Sequence, residues 1–142
     1  MELRTKLGLR GQVDAEAVAN LLGLTVVPLQ LEELQELMVD DCIGVADRLA
    51  PAWRRWVIAH AVGHKVLHPG NHLWMRMHTG LAGKVEREAE DFAQALLLDA
   101  TEVVGEGLSE AWEIAENFGV PEELVLLQAP LFFEGYEGEL QC

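Results

Sequence analysis

The chain has 142 residues, half of them apolar, and a formal net charge of −14 at pH 7. This length and apolar content predict one globular domain with its own core and exclude a disordered tail. No run approaches the roughly 18 apolar residues of a membrane span, and the first residues lack a signal peptide's apolar block. We therefore expect a cytoplasmic protein that does not bind membranes. The acidity also disfavours direct binding to nucleic acid.

The charge is divided unevenly along the chain. Residues 1–47 carry a net charge of −6, residues 48–87 carry +6, and residues 88–142 carry −14 with no Lys or Arg. All five histidines lie in the basic middle segment. The residue types that bind metals or transfer protons near neutral pH are therefore concentrated in one part of the sequence.

The first fifty residues predict helices alternating with strands. Asp14 is placed to cap a helix over 13–22, and an apolar, β-branched run predicts a strand over 24–29. Leucines at every third position predict a short helix over 31–39. Alternating apolar residues then predict a strand over 42–49.

The rest of the chain predicts helices around one long loop. Pro51 suits the first turn of a helix that continues to residue 67. The loop is predicted over 71–83, and further helices over 84–98, 108–118 and 121–128. Together these elements predict an α+β fold, with a small mixed sheet packed against a helical layer.

Two histidines on the predicted helix over 51–67 have the spacing of metal ligands. His60 and His64 are four residues apart, so both rings lie on one face of the helix. Two imidazoles placed in this way can bind one Zn²⁺. A carboxylate from the next helix would complete a His-His-Glu site and leave one position open for water.

The sequence resembles the ImmA/IrrE family of zinc metallopeptidase-like domains. The likeness rests on residues 20–24 and 42–49, on the histidine helix 59–68, on Glu-Ala-Glu-Asp-Phe-Ala at 88–93, and on residues 114–121. The resemblance implies a zincin-like core in which His60, His64 and Glu88 hold Zn²⁺. It also implies a protein partner, such as the helix-turn-helix transcriptional repressors that family members cut.

The resemblance implies one domain over 1–142 with three parts. A helix and strand lead-in covers 1–50, the metal-site helices cover 51–98, and an acidic helical part covers 99–142. The family motif also has a glutamate directly after the first histidine, where this chain has Ala61. That glutamate is the general base of such sites, so no catalytic residue is assigned here.

The absent base leaves several functions open. The chain is either a regulatory protein that binds zinc with impaired or absent peptidase activity, or an active endopeptidase that uses another base. The candidate bases are His68, Glu86 and Glu90, and His68 is also a candidate auxiliary ligand. An engineered Glu-to-Ala knockout of a repressor-cleaving enzyme explains the same sequence. A metal-free protein-interaction module is the remaining alternative.

Overall fold

The computed structural model describes residue 9 and residues 11–67, 73–77 and 84–126. The chain divides into two compact units, one from Asp14 to Gln94 and one formed by residues 1–13 and 95–142. The single domain over 1–142, with its parts at 1–50, 51–98 and 99–142, stays a prediction. Among the described residues, no helix is both long enough and apolar enough to cross a bilayer.

A four-stranded mixed sheet lies in the first unit. Its strands are β1 (Thr25–Leu29), β2 (Leu34–Val39), β3 (Cys42–Ala46) and β4 (Leu73–Met77), in the spatial order β1-β3-β2-β4. The β1 and β3 strands pair in parallel, whereas β2 pairs antiparallel with both β3 and β4. The predicted α+β class with a small mixed sheet is therefore confirmed.

The helix predicted over 31–39 is wrong, because residues 34–39 form strand β2. Val39 pairs with Cys42, so Asp40-Asp41 forms a two-residue hairpin connection, and Asp40 has a φ of 52°. Pairing with strands on both sides overrides the weak helical spacing of the leucines. The alternation of the strand places the side chains of Glu36 and Met38 in the core.

The loop predicted over 71–83 also contains a strand. Residues 73–77 form β4, which pairs antiparallel with β2 from Leu34↔Met77 to Val39↔Leu73. This pairing joins segments more than thirty residues apart, so local turn signals could not reveal it. The predicted site residue His68 lies outside the described residues.

Three helices belong wholly or mainly to the first unit. They are α1 (Ala15–Leu21), α2 (Pro51–Leu67) and α3 (Lys84–Leu97). Asp14 caps α1 by accepting a hydrogen bond from the backbone N–H of Ala17 at 3.0 Å. The α2 helix packs against α1 and against strands β2 and β3. Every residue from 56 to 64 is buried, which makes α2 the central element of this unit.

The described residues from 95 onward contain two short helices beyond the end of α3. They are α4 (Ala100–Gly105) and α5 (Ala111–Phe118), and residues 122–126 are again helical. The α5 helix begins later than predicted, because Glu110 and Glu113 form a capping box at its start. Gly119 ends it in the left-handed conformation with a φ of 68°. The α4 helix was not predicted, since six residues are too few for a periodic apolar stripe.

Candidate metal centre

The α2 helix holds the two candidate histidine ligands side by side. His60 and His64 are 0% and 1% exposed, and their ring centroids are 4.6 Å apart with the rings nearly perpendicular. One helical turn separates the two residues, so both side chains leave the same face of α2. The sequence spacing and the geometry therefore agree for this pair.

A carboxylate from α3 meets both rings. Glu86 Oε2 lies 2.6 Å from His60 Nε2, and Glu86 Oε1 lies 3.3 Å from His64 Nε2. Glu86 is only 7% exposed, although it stands in the first turn of its helix. Two imidazole nitrogens and one carboxylate thus converge at a single buried point.

The three side chains fit a zinc ion. Ligand atoms of His60, His64 and Glu86 all lie within 4.8 Å of one another, and no other such group of three occurs among the described residues. Tetrahedral zinc with ligands at 2.0–2.2 Å requires neighbouring ligand atoms about 3.3–3.6 Å apart. The separation of 3.3 Å between His64 and Glu86 matches this requirement, and the shorter contact with His60 needs only a small displacement.

Glu88, the ligand implied by the resemblance, is not part of this group. It is half-buried, whereas Glu86 is buried. Residues two apart on an α-helix point about 200° away from each other, so both glutamates cannot face the histidines. The structure favours Glu86, and the assignment of Glu88 as a ligand stays a prediction.

Gly63 allows α3 to approach the histidine helix closely. A Cβ atom added at Gly63 would lie 3.1 Å from the backbone oxygen of Ala89 and 3.1 Å from Cβ of Phe92. Ala89 lies one helical turn after Glu86 and is fully buried. The glycine that precedes the second histidine therefore sets how near Glu86 comes to both rings.

A second carboxylate, which the sequence analysis missed, contacts His60 from the opposite side. Glu36 Oε1 on β2 lies 2.8 Å from His60 Nδ1, and both side chains are 0% exposed. The incorrect helix over 31–39 hid this residue, because only a strand turns it toward α2. The two-residue Asp40-Asp41 connection between apolar runs was a hairpin signal that could have revealed it.

Burial favours the neutral form of one of the histidines. Desolvation lowers the pKa of His64 below its usual value, and the opposing interaction with the Glu86 carboxylate does not cancel this effect. A neutral imidazole retains a nitrogen lone pair, which is the form that binds a metal ion. The environment of His64 thus suits a ligand rather than a charged surface residue.

Ala61, which directly follows the first histidine, is fully buried. Its methyl group can neither accept nor donate a proton. Of the alternative bases, Glu86 already contacts both histidines and Glu90 is half-buried. Glu36 and Glu86 are the buried carboxylates among the described residues, and neither occupies the position after the first histidine.

The fold and the site together define a metallopeptidase-like domain, with two histidines of one helix and a glutamate of the next beside a mixed sheet. The family model of the IrrE N-terminal-like domain matches residues 19–129. The chain therefore belongs to this family, as the resemblance to ImmA/IrrE proteins implied. A search of curated proteins found no match to the chain.

Proposed function

We propose that this protein is a zinc-binding, metallopeptidase-like regulatory protein with impaired or absent peptidase activity. The observation that carries the proposal is the buried convergence of His60, His64 and Glu86, with Ala61 in the position of the base. Zinc binding needs only the three ligands, whereas peptide hydrolysis also needs a proton acceptor. Zinc binding can therefore persist in a protein that has lost peptidase activity.

The residues have separate roles in this proposal. His60 and His64 would hold Zn²⁺ through their Nε2 atoms, and Glu86 would hold it through a carboxylate oxygen. The bound ion would supply a Lewis acid for a peptide carbonyl and for water. Ala61 provides no group to take the proton of that water, and loss of a positioned base costs roughly 10²–10⁴-fold in rate. The protein would then capture a partner, such as a helix-turn-helix repressor, without cutting it efficiently.

One contact favours a different function, that of a metal-free interaction module. The distance of 2.6 Å between His60 Nε2 and Glu86 is that of a charge-assisted hydrogen bond, which satisfies both groups without an ion. In this alternative the polar cluster maintains the fold, and the surface of the protein alone binds the partner. Two further alternatives are an active endopeptidase that uses another base and an engineered knockout of a repressor-cleaving endopeptidase. A catalytic assay tests them.

Zinc binding is tested by measuring the zinc content and the zinc affinity of protein purified without a histidine tag. We expect about one zinc per chain for the natural sequence and a large loss of affinity for His64→Gln. Cys42→Ser is the matched control, because Cys42 is exposed and can bind zinc nonspecifically. A zinc content below roughly 0.1 per chain after supplementation would favour the metal-free module.

Catalysis is tested by restoring the base. Ala61→Glu supplies the missing carboxylate, and Ala61→Gln adds nearly the same volume without a base. Since Ala61 is fully buried, the stability and zinc content of both variants are measured first. We expect only Ala61→Glu to cleave a helix-turn-helix repressor, with a gain of at least about 10²-fold. Equal cleavage by the natural protein would overturn the proposal and establish another base.

A further inference from the structure

Glu36 is a buried carboxylate that the three-ligand group does not use. It is 0% exposed, and it stands in the interior of β2 opposite Val45 of β3. Its Oε2 atom makes no hydrogen bond within the described part of the chain. Burial of a carboxylate is unfavourable unless the group is paired, so its contact with His60 must offset that cost.

The contact lies on the side of the ring away from Glu86. Glu36 Oε1 is 2.8 Å from Nδ1 of His60, whereas Glu86 contacts Nε2. Glu36 is absent from the group whose ligand atoms lie within 4.8 Å of one another. It therefore cannot serve as a ligand, and it cannot replace the absent base at a water bound on the Nε2 side.

The strand that carries Glu36 is hydrogen-bonded on both sides. Met38, two residues later on the same face, is also buried. A carboxylate fixed in this way accepts a hydrogen bond from Nδ1 of His60. When zinc is bound, this assigns the proton of His60 to Nδ1 and the lone pair to Nε2. Carboxylates that act on metal-bound histidines in this manner orient the ring and raise its basicity.

We infer that Glu36 is a positioning residue that fixes the tautomer and ring orientation of His60, so that Nε2 faces Glu86 and His64 ready to bind zinc. This inference rests on the proposed zinc-binding function. Glu36 acts through His60 and touches neither the ion nor a substrate. The sheet thereby contributes to a site whose ligands all come from helices.

Two substitutions at Glu36 separate the hydrogen bond from the charge. Glu36→Gln keeps an oxygen that accepts from Nδ1–H, whereas Glu36→Met fills a similar volume without an acceptor. Zinc affinity is measured by competition with a chromophoric chelator. We expect Glu36→Met to bind zinc about 10–100-fold more weakly than the natural protein, and Glu36→Gln to restore part of that loss.

Nitrogen-15 NMR of the histidine side chains provides the second readout. In the zinc-loaded natural protein and in Glu36→Gln, we expect the proton on Nδ1 of His60 to be hydrogen-bonded and to exchange slowly with solvent. In Glu36→Met we expect that proton to lose its hydrogen bond, with a shifted resonance and faster exchange. Met38→Ala is the control, because it opens a cavity on the same face of β2 and should lower stability while leaving the Nδ1 proton of His60 unchanged.

The possible failures can be told apart. A natural protein that binds no zinc overturns the proposed function and this inference with it. Zinc binding by Glu36→Met as tight as that of the natural protein overturns the inference alone. An equal loss of zinc affinity in Met38→Ala and Glu36→Met, with unchanged His60 spectra, would also overturn it by showing only a structural role.

Discussion

The two compact units have cores of different character. Within 14–94, four ionisable side chains are buried among apolar residues: Glu36, His60, His64 and Glu86. Among the described residues from 95 to 126, the buried side chains are all apolar, and the many acidic residues are exposed or half-buried. One core therefore encloses an ionisable cluster, while the described part of the other is built from apolar side chains alone.

This difference indicates that the two cores have different requirements for stability. An apolar core needs no special partners, whereas buried ionisable groups are tolerated only when each is paired. His60 pairs two of these groups, because it contacts Glu36 at one ring nitrogen and Glu86 at the other, and Glu86 also lies 3.3 Å from His64 Nε2. We therefore expect the loss of one member to destabilise the fold by leaving its partners buried and unpaired.

The largest effect is expected from His60→Leu. This change leaves Glu36 and Glu86 buried against a hydrocarbon side chain, so the free energy of unfolding should fall by about 3–5 kcal/mol. Leu97→Met in the apolar core conserves volume and should cost less than about 1.5 kcal/mol. Urea denaturation with chelator present measures both. Adding Glu36→Met to His60→Leu should recover stability, and equal stability of His60→Leu and Leu97→Met would contradict the account.

Glu86→Gln should reduce zinc affinity more than Glu88→Gln. Residues that only support ligands contribute 10–100-fold, so loss of a direct ligand should cost at least roughly 100-fold. Glu88→Gln has a similar position in the sequence and should leave zinc affinity unchanged. Chelator competition measures both variants. A larger loss in Glu88→Gln would support the ligand implied by the resemblance, and would require α3 to rotate when zinc binds.

Gly63→Ala tests whether close helix packing sets the site. The added Cβ would lie 3.1 Å from backbone and side-chain atoms of α3, so we expect a loss of about 1–3 kcal/mol and weaker zinc binding. Gly105→Ala is the matched change in the other unit, because its Cβ would meet nothing within 4 Å. Thermal unfolding should show Gly105→Ala unchanged or slightly stabilised. A Gly63→Ala protein with normal stability and zinc affinity would show that α3 accommodates the methyl group.

The smallest expected effect is a dependence of stability on pH. Because burial lowers the pKa of His64, the unfolded chain binds a proton at a higher pH than the folded protein does. In metal-free protein, the free energy of unfolding should fall as the pH falls from 6.5 to 5.5, by at most about 1 kcal/mol for a single histidine. His64→Gln should flatten this slope. An unchanged slope in His64→Gln would assign the dependence to other groups.

The histidine helix was predictable from the sequence because its signals are local. Pro51 opens it, Pro69 and Gly70 follow it, and the structure confirms the predicted bounds of 51–67. The spacing of His60 and His64 on that helix was visible in the same way. A glutamate in the first turn of the following helix could also be expected, but the choice between positions 86 and 88 depends on the helix's rotational phase.

The contribution of the sheet was not predictable by the same reasoning. Strands β2 and β4 pair with each other although they are far apart in the sequence. The leucines in and before β2 also have the three-residue spacing that is typical of a helix. Glu36 was missed because its burial depends on that pairing. The buried stripe of Glu86, Ala89 and Ala93 does carry a local signal, since these residues have helical spacing and share one face of α3.

X-ray absorption at the zinc edge of the loaded protein tests the central claim most directly. The account predicts two imidazole nitrogens together with oxygen ligands at about 2.0–2.2 Å, and no sulfur at about 2.3 Å. His64→Gln should lose one of the two imidazoles from that spectrum. A sulfur ligand, or a spectrum unchanged by His64→Gln, would place the metal elsewhere and contradict a zinc site built from His60, His64 and Glu86.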